Sequence, residues 1–593
     1  MRILHLLSQT HLTGAEVYAA QLCREQLSQG DQCWIVSDTL SVSVSGASYI
    51  PMPIDNRSYL NRLKNIIGVV RLCKQHQIDV IHAHSRAASW VANIAAKWAK
   101  VGYVSTVHGR QKVHKSSSSW NIYGRNIVAV CDHIADHLQN ELNIPPSYIR
   151  VVRNGLNNVE RLQPRAIDDR SRQTVVWIGR LTGPKGEIAR KLAYEIAPQF
   201  GQVEFLFVGG PAIPTSWPEA PENVRFTGQT DDVTQYYHQA DLVIGAGRVA
   251  LEAMQLSKPV MAVGECCYVG PVEPATIQLA KATNFGDCFA PAGIDWEALT
   301  NDLHRLLQGS DTVDTEDYDA YLDDYAVGHV NQQLQITYQQ ARAESALRHV
   351  KEVPVLMFHQ VPDQAPENSI HNVYVTKDRL REHFTNLKRR GFETVTFKEL
   401  AAGKRVKKPI ILTFDDGYED NHRNLLPLLQ EFDFKAVVYA LADEQLTRNE
   451  WDIPGGEPPA ALMNYEQLKA CHNSGRIEVG SHGLSHAHLP GLTQNQLGIE
   501  LEQSKLRLES LLGTEVVSFA YPYGDYGDRE VECARAAGYL FAIATVSGPV
   551  HLSENFFKIR RVNLMPSDKG FQFWKKTSGV YLRYCKWKKK DFD

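Results

Sequence analysis

At 593 residues, with 43% hydrophobic and 22% charged residues and a formal net charge of −4, the chain is too long for one core and carries no bulk charge drawing it to nucleic acid. Ten cysteines without a C-x-x-C pair or disulfide-like spacing indicate reduced thiols. The apolar run at the start is too short for a secretory signal, and no stretch approaches the ~20 apolar residues of a membrane span, so a soluble cytoplasmic protein is expected.

From the first residues, apolar runs alternate with helical patterns. Strands are predicted at 3–7, 33–37, 79–82 and 103–107, with helices at 15–28, 60–76 and 87–100. This βαβ alternation predicts a doubly wound parallel sheet. A polar, charged linker at 160–172 precedes a second series, with strands at 174–178, 203–208, 242–244 and 259–263. Two Rossmann-like halves, 1–165 and 166–345, with a cleft between them, make a GT-B architecture. The polar pattern at 318–348 reads as a closing helix and connector, Ser116 to Ser119 as a loop over the cleft. A further domain is predicted over 350–570, followed by a basic, aromatic tail at 571–593.

Several motifs lie along the first half in order. Thr13-Gly14-Ala15-Glu16 has the form of a glycine-rich first turn, His108 ends a strand, and Arg153-Asn154-Gly155 falls between the halves. Trp177-Ile178-Gly179-Arg180-Leu181-Thr182-Gly183-Pro184-Lys185-Gly186 and Gly247-Arg248-Val249-Ala250-Leu251-Glu252-Ala253-Met254 follow. Together they resemble the family 4 glycosyltransferases over about 1–345. The resemblance implies a retaining transferase in which Arg180 and Lys185 clamp a nucleotide diphosphate at a helix N-terminus. It also implies that Glu252 bonds the ribose, Gly14 lines the donor and His108 lies near the sugar, a UDP-sugar being the expected donor. The first acidic residue of the family's Glu motif is replaced by Ile244. Ile81-His82-Ala83-His84 suggests a metal, but residues along a strand alternate faces, so shared ligation is not expected and packing or acceptor contact is assigned.

The most specific signal lies further on. Thr413-Phe414-Asp415-Asp416-Gly417-Tyr418 follows an apolar run, and Gly480-Ser481-His482-Gly483-Leu484-Ser485-His486 follows about 65 residues later. Histidines spaced i, i+4 on one helical turn, completed by a strand-end carboxylate, supply a hydrolytic metal site, with zinc the expected ion. With Phe519-Ala520-Tyr521-Pro522-Tyr523-Gly524, these segments resemble the NodB-type polysaccharide deacetylases (carbohydrate esterase family 4) over about 350–570, which implies a distorted (β/α) barrel. The resemblance gives Asp416, His482 and His486 as ligands, Asp415 as base and the Tyr523 backbone N–H as an oxyanion donor. Two departures stand out. The arginine that opens the third motif is Ala520, a gap that Arg561 is expected to fill, and the late Leu-x-His motif has no counterpart. His359, at the end of a predicted strand, reads either as a pocket residue or as a satisfied strand-end histidine, and His488 as a solvated loop residue.

The expected function is a bifunctional enzyme of surface-glycan or lipopolysaccharide synthesis. One half adds an N-acetylhexosamine to a lipid-linked or lipopolysaccharide-core acceptor and the other deacetylates it. The alternative is a deacetylase carrying a non-catalytic GT-B docking module. The aromatic and lysine-rich tail suits either peripheral contact with an anionic membrane or a solvated terminus.

Overall fold

The structure is a computed structural model that describes the chain except residues 11–12, 112, 114–119, 157–171, 211–216, 231–232, 291–292, 309–312, 351, 548–554, 580 and 582–593. The predicted loop at Ser116 to Ser119, nearly all of the linker at 160–172 and most of the basic tail therefore lie outside the described residues. The chain divides into two compact units, Met1–Thr337 and Tyr338–Asp593.

The first unit contains two sheets. One is a seven-stranded parallel sheet of β1 (Arg2–Leu6), β2 (Gln32–Ser37), β3 (Ser48–Pro51), β4 (Val80–Ala83), β5 (Gly102–Val107), β6 (Ile127–Ala129) and β7 (Ile149–Val151), in the order β3-β2-β1-β4-β5-β6-β7. Its central strands are buried throughout, as a parallel sheet covered on both faces requires. Three helices fold against it: α1 (Gly14–Ser28), α2 (Tyr59–Gln75) and α3 (Arg86–Ala99). Each starts on a side-chain cap, Thr13 to Glu16 N, Ser58 to Asn61 N and Ser85 to Ala88 N. The other sheet has six strands: β8 (Thr174–Ile178), β9 (Glu204–Val208), β10 (Val224–Gly228), β11 (Leu242–Gly245), β12 (Val260–Val263) and β13 (Tyr268–Pro271). Its order is β10-β9-β8-β11-β12-β13, parallel except for the edge pair β12–β13. This pair of doubly wound sheets is the GT-B fold. Arg153 ties the halves together, donating to Lys281 O (2.9 Å) and Asp132 Oδ2 (2.8 Å).

One expectation is corrected. His82 and His84 are two residues apart, so the alternation of a strand puts them on the same face rather than on opposite ones. Their rings lie 4.1 Å apart, centroid to centroid. His5 of β1 joins them: its Nε2–H donates to Gln26 Oε1 (2.8 Å), and its Nδ1 is 3.0 Å from His84 Nε2. Burial lowers His5 to about 4 and holds His82 and His84 well below the usual imidazole range, so this is a neutral core network.

The second unit is a closed barrel. Seven parallel strands, β14 (Val355–Phe358), β16 (Pro409–Phe414), β17 (Ala436–Ala440), β18 (Ile477–Ser481), β19 (Ser518–Ala520), β20 (Phe541–Ser547) and β21 (Ile559–Asn563), run round it. The ring closes where β14 pairs with both β16 and β21, and a short β15 (Glu393–Thr394) is appended to β16. β16 is buried along its whole length and its apolar side chains join the core beneath the site.

Candidate functional site

The chemistry-bearing residues of the second unit gather at the carboxyl ends of the barrel strands, where loops meet and backbone ends diverge. Asp415 and Asp416 follow β16, His482 follows β18, Tyr523 follows β19 and His359 follows β14. Asp416 Oδ1 lies 3.1 Å from His482 Nε2 and 3.5 Å from His486 Nε2. All three groups are buried, and their ligand atoms lie within 4.8 Å of one another. The His482 Nδ1–H donates to Ala520 O (2.8 Å), which leaves Nε2 as the free lone pair facing Asp416. Two imidazoles and one carboxylate converging with both ring edges aimed at one point fit a divalent ion of the zinc type.

The two histidines do not share a helical turn as expected. His482 directly follows β18, and His486 sits in the loop beyond it with φ of +61°. The chain turns at Gly483, whose φ is +89°. Glu500 then pins the loop, accepting from Leu484 N (2.7 Å), Ser485 N (3.2 Å) and the Ser485 hydroxyl. The spacing is right and the element is wrong: a pinned loop, like a helical turn, can turn both rings inward.

Asp416 (φ +70°) and Tyr523 (φ +58°) also hold left-handed backbone. Three non-glycine residues in that region around one cluster store strain that the surrounding packing must over-determine.

Arg561 lies inside the barrel with no exposed surface. Its Nη1 and Nη2 donate to Asp415 Oδ1 and Oδ2, both at 2.6 Å, Nη1 also reaches Thr413 Oγ1 (3.1 Å) and Nε donates to Ala544 O (3.0 Å). Burial alone would raise the Asp415 carboxyl; the Arg561 charge and its bidentate bonds outweigh that and hold it below the usual range. Burial likewise works against ionised Asp416, and the bonds from His482 and His486 hold it well below the usual value. His359 is half-buried, and its charge would lower both carboxyls.

Two neighbours went unread in the sequence. Trp451 stacks on His486 at 4.2 Å and 18°, and Asp452 faces His371 (Nε2–Oδ1 3.8 Å), its carboxyl raised by burial and by Asp416. Both sit on an irregular segment without periodicity, so only their contacts with the cluster mark them. Tyr523 presents its ring to His486 (4.6 Å, 71°), and exposed His488 stacks on that ring (3.7 Å, 3°).

In the first unit, Arg180 follows β8 and Lys185 lies on the helix Gly183–Lys191. Lys185 Nζ meets Asp287 Oδ2 at 2.9 Å, and Arg180 Nη2 meets Glu265 Oε1 at 3.2 Å. Glu252, on the helix Arg248–Gln255, accepts from Arg248 and from Tyr237 OH (3.0 Å). Asp287 and Glu265 were not singled out in the sequence, because each is a lone acid in a loop until the fold brings it to a cation. Ile244 is a buried core residue of β11, so no carboxylate occupies that place. Gly14 opens α1, and a Cβ there would meet open space. His108 is held neutral by burial at about 4, and its Nε2 has no hydrogen-bond partner, as has Nδ1 of His84, 6.0 Å away ring to ring.

The two sheets and the barrel thus define a GT-B unit joined to a deacetylase-type barrel that carries a candidate divalent-ion donor set. Family profiles agree: Glycosyltransferase Family 4 matches residues 12–159, Glycosyl transferases group 1 matches 172–308, and Polysaccharide deacetylase matches 402–542. The chain therefore joins family 4 and group 1 glycosyltransferase domains to a polysaccharide deacetylase domain. The YxkH protein of Bacillus subtilis, provisionally named a polysaccharide deacetylase, is 26% identical over 239 residues, 40% of this chain and 77% of that one. The poly-β-1,6-N-acetyl-D-glucosamine N-deacetylase of Escherichia coli is 22% identical over 34% of each chain. An Escherichia coli UDP-Gal:α-D-GlcNAc-diphosphoundecaprenol α-1,3-galactosyltransferase is 30% identical over 22% of this chain and 36% of its own. The chain thus spans only about a third of these last two. His359 and Arg561 lie outside the deacetylase match, Arg561 on β21 and His359 directly after β14, the two strands whose pairing helps close the barrel.

Proposed function

We propose that the chain is a bifunctional enzyme of surface-glycan or lipopolysaccharide synthesis. The first unit transfers an N-acetylhexosamine from a nucleotide sugar, a UDP-sugar, to a lipid-linked or lipopolysaccharide-core acceptor, and the barrel removes the acetyl group. The observation that carries the hydrolytic half is the convergence of Asp416, His482 and His486 beside an Asp415 carboxylate clamped by Arg561. The relatives named for N-acetylglucosamine deacetylation and for a diphosphoundecaprenol-linked acceptor support the choice of substrate class.

Asp416, His482 and His486 would hold the divalent ion, zinc, which when bound polarises the amide carbonyl and lowers the pKa of a water. Asp415 accepts the proton of the attacking water, with Arg561 keeping its carboxylate ionised and fixed in direction. The Tyr523 backbone N–H donates to the oxygen that becomes negative. His359 gives a proton to the nitrogen as the C–N bond breaks, releasing acetate and leaving an amine on the sugar. In the first unit, Arg180 and Lys185 exchange their carboxylate partners for the donor diphosphate, Glu252 binds the ribose and Gly14 leaves room above the first turn for the donor. The unpartnered His108 Nε2 is available to a sugar hydroxyl.

A second reading, a docking module without transfer, is favoured by Ile244 where the family carries an acid. Calorimetry of the full chain with UDP separates the two. Binding that Lys185→Ala weakens supports transfer, and no binding supports docking. For the barrel, acetate release from N-acetylglucosamine oligomers that is lost on chelation and restored by zinc is the expected result.

A further inference from the structure

We propose that the exposed face of α2 docks the protein on an anionic lipid surface. Among the described residues, four exposed large apolar side chains lie on this one helix: Tyr59 (81%) and Leu60 (76%), the two most exposed, with Leu63 (46%) and Ile67 (38%). The adjoining face of the same helix, with Ile66, Val69 and Cys73, is buried in the core, and the exposed residues lie outside it. At 100° per residue Tyr59, Leu60, Leu63 and Ile67 fall with exposed Lys64, Arg71 and Lys74 on one arc of about 140°.

The charge pattern identifies the occupant. Between residues 56 and 78 the chain has five cations, Arg57, Arg62, Lys64, Arg71 and Lys74, and no Asp or Glu. Arg57 pairs with Asp55, and Arg62 lies over the Trp90 ring at 4.5 Å, which leaves Lys64, Arg71 and Lys74 beside the apolar stripe. A second copy of the chain would bring these like charges face to face. A nucleic acid would meet the cations but leave the apolar stripe wet. A bilayer with anionic headgroups satisfies both, taking the apolar side chains to the acyl boundary and the cations to the phosphates. None of these residues belongs to the donor or hydrolytic sites, and the inference stands or falls independently of the reaction proposed above. It places membrane contact on a folded element rather than on the lysine-rich tail.

The test is flotation of the full-length chain with vesicles of phosphatidylcholine alone and with about one third phosphatidylglycerol, at low and high salt. The expected result is binding to the anionic vesicles that weakens with salt and falls at least about tenfold in Leu60→Glu/Leu63→Glu and in Lys64→Glu/Arg71→Glu/Lys74→Glu. These positions are on the surface, and an unchanged melting temperature checks the fold. Lys588→Glu/Lys589→Glu/Lys590→Glu should retain most of the binding. Failure of the unaltered chain to bind anionic vesicles, or binding unaffected by both α2 variants, overturns the proposal. So does a lipid-free dimer that Leu60→Glu/Leu63→Glu dissociates, which would assign the face to a second copy.

Discussion

Arg561 and Asp415 form a buried, bidentate ion pair inside the barrel, and removing either partner strands a charge where water cannot reach it. Breaking such a pair typically costs about 3–5 kcal/mol of stability. The same geometry sets the acid limit of the reaction. Arg561 holds the Asp415 carboxyl below its ordinary value, so the carboxylate is present across the neutral range and is lost only at low pH. In Arg561→Met the burial that opposes ionisation remains and the compensating charge is gone, so the Asp415 pKa rises. The acid limb of the deacetylase pH–rate profile should therefore move to higher pH, read against melting temperature to separate it from instability. An unmoved limb in a folded variant would remove Arg561 from this role. Asp415→Asn should keep its metal and lose about 10²–10⁴-fold in kcat, measured by acetate release alongside metal content. Loss of the metal in that variant would make Asp415 a ligand instead.

At the scale of elements, the loop that carries His486 is the informative case. The i, i+4 spacing was legible as a convergent pair, but the element was not, because the turn at Gly483 and the clasp by Glu500 depend on the helix Gln494–Leu512 brought in from further along the chain. Glu500→Gln should loosen the loop and lower metal affinity by about 10–100-fold, read by competition with a chelating dye, without removing any ligand. Unchanged affinity would mean the loop is held by packing alone. Eight of the strands of the two Rossmann-like sheets, β1, β2, β4, β5, β8, β9, β11 and β12, could be read from apolar runs to within a residue or two, since they are largely buried on both faces. The short strands β3, β6, β7, β10 and β13 were missed: each is only three to five residues long, too short for a periodic signal, and β3, β7, β10 and β13 are also edge strands. His82 of β4 and His84 just beyond it share a face because the strand period is two, contrary to the expectation, and Trp451, Asp452, Asp287 and Glu265 had no local signal at all. Lys185 shows what the fold adds: the family resemblance assigned it to a diphosphate, and the structure pairs it with Asp287, the group it would release on the proposed reading. Lys185→Ala should weaken UDP binding by roughly 1.5–3 kcal/mol in calorimetry, and equal affinity would remove it from the donor site.

For the whole molecule, the two sets of groups sit in separate compact units, so each activity should be removable without the other. His482→Ala should lose metal and acetate release while keeping UDP affinity. On the proposed reading, fusing the units raises the effective concentration of the transfer product for the barrel, and the chemistry fixes the order, because only an N-acetylated sugar offers an amide to hydrolyse. Mass spectrometry of the glycan from cells carrying Asp415→Ala or Lys185→Ala tests this coupling most directly. The account predicts that Asp415→Ala yields the normal glycan heavier by an acetyl group, and Lys185→Ala an acceptor lacking the sugar. A Lys185→Ala glycan that still loses acetyl groups, or an Asp415→Ala glycan with no added acetyl, would contradict it.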